Sequence, residues 1–235
     1  MFTDTDFKVR LNNPEEVKNF IKRHGEFASV CYDTPREYGE KVGLHCLESG
    51  HMSGSRHLYF DFSIDNVPRS LVDQLVRHEV GVVKNVESLR YCTAYKNVDI
   101  YASKEIMDSP VLRREIELIE ANVQYELETL EQFLKDTNLE KTRINEIIRT
   151  IMPIGIITRC SFAVNVDGIM HLANVRLCNR AEQPIRHLVD LMCKEVIAVE
   201  PRYKKFLVPN CIKYGHCIEG KSSCGKFNEI KKLYE

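Results

Sequence analysis

Residues 111–135 limit the fold more than any other stretch. Leu112, Ile116, Ile119, Val123, Leu127, Leu130 and Leu134 recur every three or four residues, with Glu, Arg and Gln filling the gaps. That period draws one apolar stripe down a helix of about seven turns. So long a stripe needs a cover, and a core or a subunit contact explains the heptad-like spacing as well as a coiled coil does. A second pattern has a different period. Leu58, Phe60, Phe62 and Ile64 alternate with His57, Tyr59, Asp61 and Ser63, which is a strand with one face in the core. The two patterns together predict an α+β fold, with a central, mostly antiparallel sheet flanked by long helices.

The remaining elements fit around these two. Phe7, Val9 and Leu11 alternate as a first strand. Asn13-Pro14-Glu15-Glu16 reads as an N-cap, a Pro at the first helical position and a capping-box Glu, with a helix to about His24. A second start at Thr34-Pro35 predicts a helix to about Leu47. A turn is expected at Asn66–Ser70, a helix from about Ser70, and a strand or loop from Tyr91 to Tyr101. Further helices are expected at 139–151 and 182–199. A strand is expected at 155–166, with Asn165 or Asp167 capping the helix after it. No linker or repeat interrupts the chain, so the expectation is a single domain over 1–235 with a cysteine-containing tail at about 208–235.

Composition closes several functional classes. A formal net charge of −1 over 235 residues gives no general attraction to nucleic acid or anionic membrane. No apolar run reaches the roughly 20 residues that span a bilayer, and the first ten residues do not read as a signal peptide. The expectation is a cytoplasmic protein with no nucleic-acid or membrane partner. Nine cysteines are scattered through predicted core elements, mostly as reduced, buried thiols. Cys211, Cys217, Cys224 and His216 cluster near the C-terminus, but their spacing is looser than the CxxC pairs of zinc modules, and no metal is expected. His51 and His57 as a metal pair lack a completing carboxylate or thiol.

Residues 74–91 hold the densest mixture of polar and apolar groups. Gln74, Arg77, His78, Glu79, Asn85, Glu87, Ser88 and Arg90 stand among Leu75, Val76, Val80, Val82, Val83 and Val86. If the last segment is extended, Ser88 and Arg90 point the same way and suit an anion. The alternative is a solvated charged face.

Here the chain resembles a known family, the flavin-dependent thymidylate synthases. They carry Arg-His-Arg, a Ser, and a Glu near a final Ser-x-Arg-Tyr, and Arg77, His78, Glu87, Ser88, Arg90 and Tyr91 look like that signature. Glu79 replaces the second Arg, and one extra residue lies between His78 and Ser88. Gly50-His51-x-Ser53-x-x-x-His57 is similar to the family's Gly-His-x-Ser/Thr-x-x-Glu-His, with Arg56 at the Glu position. Arg149 precedes Pro153 as a family Arg precedes its Leu-Pro turn. Asn174-Val175-Arg176-Leu177-Cys178-Asn179-Arg180-Ala181 is close to Asn-Leu-Arg-Leu-Cys-Asn-Arg-Ala.

The resemblance implies FAD-dependent reductive methylation of dUMP to dTMP, with methylenetetrahydrofolate giving the carbon and NADPH the electrons. It also implies a homotetramer with active sites where subunits meet. Gln74, Glu87, Ser88, Arg90, Arg149 and Arg176 then bind dUMP. Arg176 and Ser88 are the catalytic candidates, with Arg176 stabilising the uracil enolate. Ser53, Arg77, His78, Glu79, Asn165 and His171 stand at flavin positions, and His51 faces the folate or nicotinamide side. Without the resemblance, His171 reads equally as a hydrogen-bonded histidine on a buried helix face. Glu79 and Asp167 (an Arg in many relatives) motivate an alternative substrate, UMP, or another modification of the uracil 5-carbon. A zinc-holding, non-catalytic nucleotide- or nucleic-acid-binding protein is the third reading. The paired reversals at Arg56 and Glu79 predict that these two side chains touch.

Overall fold

A computed structural model describes residues 1–92 and 98–235. Alternation sets the strands: β1 (Lys8–Leu11), β2 (Tyr59–Pro68), β3 (Val82–Val86) and β4 (Ile157–Asn165) form an antiparallel sheet in the order β1-β2-β4-β3. The alternating apolar set is buried as its period requires, with Leu58 just before β2 and Phe60, Phe62 and Ile64 within it all at 1% exposure or less. Gly81 pairs with Asn165 and Glu87 with Arg159 through backbone bonds of 2.8 and 3.1 Å. Both pairs lie in one register, so no bulge falls between them.

Two compact units divide the chain. One comprises Met1–Lys8, Ile64–Val76 and Asn85–Cys160; the other comprises Val9–Ser63, Arg77–Lys84 and Ser161–Glu235. Every strand contributes residues to both.

The first unit carries α4 (Arg69–Leu75), α5 (Lys104–Met107), α6 (Pro110–Lys135) and α7 (Lys141–Ile148). The long stripe is α6, started by Pro110 and by Ser109 Oγ accepting from Leu112 N. Its C-terminal half supplies the core: Leu127 packs with Val98, Ile100, Ile144 and Ile148, edged by Val123, Leu130 and Leu134. Its N-terminal half does not, for Leu112 and Ile119 are each 49% exposed. The element expected at Tyr91–Tyr101 lies in part outside the described residues. The turn expected at Asn66–Ser70 is instead the end of β2, which runs to Pro68 and passes directly into α4.

The second unit carries α1 (Pro14–Val17), α2 (Phe20–Tyr32), α3 (Gly39–Ser49), α8 (Val166–Arg176), α9 (Gln183–Val199), α10 (Asn210–Lys213) and α11 (Phe227–Tyr234). Phe20, Phe60 and Tyr203 form an aromatic chain at 5.2 and 5.5 Å between centroids. The single helix expected from Asn13-Pro14 to about His24 is two, α1 and α2, and α2 runs on to Tyr32, where left-handed Asp33 (φ 50°) caps it. Gly25 does not break it, because α3 lies against that point. A Cβ on Gly25 would fall 1.8 Å from Gly39 O, and one on Gly43 would fall 1.8 Å from Ile21 O. Asn13 holds the N-cap position of α1, with Pro14 first in the helix, but its side chain caps nothing: Oδ1 accepts from Asp61 N and Nδ2 donates to Tyr59 O, tying α1 to β2. Among the described residues, no helix is long and apolar enough to cross a membrane.

Candidate active site

The expected site residues fall into two groups, one in each unit. Gln74, Glu87, Ser88, Arg90 and Arg149 belong to the first; His51, Ser53, Arg77, His78, Glu79, Asn165, His171 and Arg176 belong to the second.

In the first unit, Glu87 leaves β3 with its carboxylate 3.3 Å from Arg159 Nε and 3.4 Å from Thr158 Oγ1, which donates to it. Ser88 and Arg90 do not sit on an extended strand. The backbone turns at Ser88, whose carbonyl accepts from Tyr91 N and Cys92 N while its Oγ accepts from Arg90 N at 3.4 Å. A hydroxyl that satisfies the chain locally competes with the sheet ladder, which is why alternation past Glu87 misled. Gln74 occupies the last turn of α4, and Arg149 follows α7 directly.

The turn brings Arg90 to α7. Its Nε lies 2.7 Å from Glu146 Oε1, and Asn145 Nδ2 donates to its carbonyl at 2.9 Å. Glu146 also meets Arg143 at 2.9 Å, and Arg149 acts on it electrostatically. Arg143 first, then Arg90 and Arg149, hold the Glu146 carboxyl below its ordinary range. Three guanidinium groups around one carboxylate leave a local excess of positive charge where an anion can bind. Sequence reading missed Glu146, although Arg143, Glu146 and Arg149 recur at a spacing of three, which stacks them on one helix face.

In the second unit, Asn165 ends β4 and starts α8. Its Oδ1 accepts from Gly168 N at 2.8 Å, the expected cap, and its Nδ2 donates to Arg56 O at 3.4 Å. Gly81 (φ 67°) lies flat on that amide, where a Cβ would come within 2.3 Å of it. Val80 and Gly81 thus form the turn that leads into β3, and the register from Gly81 to Glu87 is unbroken.

Arg176, at the last turn of α8, donates from Nε to His78 Nε2 at 2.9 Å. His78 is thus an acceptor at Nε2 and carries its proton on Nδ1. Burial first, then Arg176, His171 and Lys84, push its pKa down to about 4, so it is neutral at pH 7. His171 stands 6.2 Å away, ring to ring. It is exposed, not buried as the alternative reading of this residue had it. Arg77, His78, Glu79, Gly168 and His171 line a 290 Å³ cavity whose other walls are Val80, Val82, Val164 and Leu172. His51 and Ser53 are both exposed on the loop after α3. That loop is held from behind by His24, 1% exposed, whose Nε2 is 2.9 Å from His51 O. Nothing in the sequence distinguished His24 from other polar residues of α2.

Arg56 pairs with Asp167 Oδ2 at 3.0 Å and not with Glu79, which corrects the expected contact within the chain. The correction follows from the Asn165 cap, which sets the start of α8 beside the Gly54–His57 turn. No group of three or more His, Cys, Asp or Glu among the described residues is arranged to hold a metal. Cys211 lies close enough to Cys178 and Cys217 for them to add to the rise that burial gives its thiol.

Residues 17–202 match the family model described as thymidylate synthase complementing protein. The flavin-dependent thymidylate synthase of Clostridium tetani is 34% identical over 240 aligned residues, covering 94% of this chain and 93% of that protein. The one from Saccharolobus solfataricus is 30% identical over 79% of this chain and 68% of its own length. A Helicobacter pylori thymidylate synthase X crystal structure with FAD and dUMP shares the fold, with TM-score 0.60 and 19% identity over 88% of this chain and 99% of that one. So does a Streptomyces cacaoi UMP/dUMP methylase bound to 5-Br UMP, with TM-score 0.59 and 17% identity over 84% and 91%. The chain belongs to the thymidylate synthase complementing protein family, that of the flavin-dependent thymidylate synthases.

Proposed function

We propose that the chain methylates dUMP reductively to dTMP, with FAD as cofactor and methylenetetrahydrofolate and NADPH as co-substrates. The observation that carries this reading is the Arg176–His78 pair, a guanidinium oriented at 2.9 Å by a neutral imidazole. Family membership gives the pair its meaning. A charged His78 would repel Arg176; the neutral ring accepts from Nε and so fixes one edge of the guanidinium. Donors of that kind at a uracil carbonyl stabilise the enolate that makes the 5-carbon nucleophilic. Gln74, Glu87, Ser88, Arg90 and Arg149 take the nucleotide, its phosphate drawn by the positive excess around Glu146.

The cavity beside His78 fits part of a flavin. Its valine and leucine walls offer an apolar face, and Arg77 and His78 a polar edge. At 290 Å³ it holds a ring system and no whole dinucleotide. Arg77, His78, Ser53, Asn165 and His171 would hold the cofactor, with Glu79 at the rim. Bound FAD supplies the redox chemistry, accepting a hydride from NADPH. The remainder of the cofactor fits a homotetramer in which a second subunit completes each site, a reading supported by the apolar residues that α6 leaves exposed. Nine free thiols suit a reducing cytoplasm.

UMP is the second reading. Asp167 no longer favours it, since Arg56 balances that charge. The deciding experiment is anaerobic oxidation of the reduced flavoprotein with methylenetetrahydrofolate and either dUMP or UMP, the product read by mass. Methylated dUMP is expected. Methylation of UMP alone overturns the substrate, and a colourless preparation overturns the flavin.

A further inference from the structure

The cysteines divide by their surroundings. Cys46, Cys160 and Cys193 are buried in the core, where thiols are inert. Cys178, Cys211 and Cys217 are free, only partly buried, and line one 270 Å³ cavity that they share with Arg176 and Arg180. Three elements bring them there. α8 ends at Arg176, and Cys178 is the second residue past it, in a turn where Ala181 N donates to Cys178 O at 2.9 Å. α10 carries Cys211 and packs against α8. Cys217 follows α10 across a bend at left-handed Gly215 (φ 72°).

Of the two neighbours of Cys211, Cys178 is felt the more strongly: burial first, then Cys178, then Cys217 raise its thiol. A thiol held protonated is a slow nucleophile, so Cys211 suits the partner that closes a bond onto a sulfur already oxidised. In a reducing compartment such bonds are transient and serve as redox sensors.

We propose that Cys178 and Cys211 form a reversible disulfide under peroxide, and that this bond draws Arg176 away from His78. Two thiols and one hydrogen peroxide give one disulfide and two waters. The S–H bonds and the O–O bond break, the sulfurs lose two electrons, and the peroxide oxygens take those electrons and both thiol protons. A disulfide holds its two Cβ atoms about 3.5–4.5 Å apart, so the bond closes the cavity between the end of α8 and α10. Arg176 lies two residues from Cys178 and reaches His78 by one bond, from Nε to Nε2 at 2.9 Å. A shift of about 1 Å takes that bond out of range. The effect on activity rests on the reading of Arg176 as the guanidinium that serves the uracil; the disulfide itself does not.

The test treats the whole purified enzyme with a small excess of hydrogen peroxide, removes the peroxide by desalting, and reads three quantities. Peptide mapping by mass without reduction is expected to find Cys178 joined to Cys211. NMR of histidine-labelled enzyme is expected to show His78 titrating above its value of about 4, since the withdrawn guanidinium no longer opposes protonation. Methylation of dUMP is expected to fall about tenfold or more and to return with dithiothreitol. Cys178→Ser and Cys211→Ser each keep their activity through the treatment, whereas Cys217→Ser is inhibited as the wild type is. A bond between Cys211 and Cys217 overturns the proposal, because it lies within the tail and leaves α8 in place. Absence of any bond overturns it too, as does a Cys178–Cys211 bond that leaves the His78 titration unmoved. If one serine variant does not fold, the other, at the opposite end of the same bond, decides. If the untreated enzyme does not methylate dUMP, the functional reading fails, while the peptide map and the His78 titration still decide the disulfide and its effect on Arg176.

Discussion

Gly43→Ala tests the packing on which the His51 loop rests. The new methyl would begin 1.8 Å from Ile21 O, and Cβ contacts below 3.0 Å are essentially unknown, so α2 and α3 must part by at least 1.2 Å. The obstructing atoms are helix backbone and cannot rotate away. Overpacking costs about 1–3 kcal/mol, and this site belongs at the upper end. Replacing a mid-helix Gly returns about 0.5–1 kcal/mol. The net loss is about 2 kcal/mol, which for a protein of this length lowers Tm by about 4–8 °C. The assay is thermal unfolding followed by circular dichroism, with exposed Lys41→Ala on the same helix as a control expected within about 0.5 kcal/mol. Because α2 carries His24, the variant should also lengthen the His24–His51 bond and lower flavin occupancy. A Tm equal to or above wild type would refute the close approach of the two helices.

Three further predictions follow from the site. Arg90→Ala and Ser88→Ala raise the dUMP dissociation constant with kcat affected less, and Glu146→Gln tightens dUMP by removing the carboxylate that competes for Arg90; calorimetric titration reads all three. His78 binds a proton near pH 6.5 when unfolded and near 4 when folded, so the unfolded state holds more protons between those values. Stability therefore falls as pH drops from about 6.5 to 4, and His78→Gln flattens that part of the Tm–pH curve. Arg56→Asp and Asp167→Arg each shift Tm little, because Arg56 is 63% exposed. Each weakens flavin binding, and the double exchange recovers most of it; absence of recovery would show that the pair has no part in the flavin site.

What was legible in the sequence was whatever one element decides alone. The β2 alternation, the α6 stripe and the Asn165 cap all follow from local period or from a single side chain, and each is found where expected. What was not legible depends on a partner from elsewhere in the chain. The side chain of Asn13 looks like a cap until β2 offers it better bonds, and the end expected near His24 gives way because Gly25 lets α3 pack against a continuing α2. Arg56 was matched to Glu79 by reversed charge alone, and only the fold set Asp167, at the start of α8, beside it instead. His24 and Asn174 carry no signal, since a buried polar group is recognisable only once its surroundings are known.

The unbroken register between β3 and β4 makes the peptide between His78 and Gly81 a spacer of fixed length. Downstream of it, pairing with β4 determines where Glu87 falls; at its end, the amide of Asn165 holds Gly81 in place. Insertions and deletions will therefore be absorbed unevenly. An added residue at Val80 can loop outward and leave both neighbours in register. Removing Val80 has no such outlet: it must either drag His78 off the Nε of Arg176 or pull Gly81 from the amide beneath it. The segment can be lengthened by drift far more readily than it can be shortened.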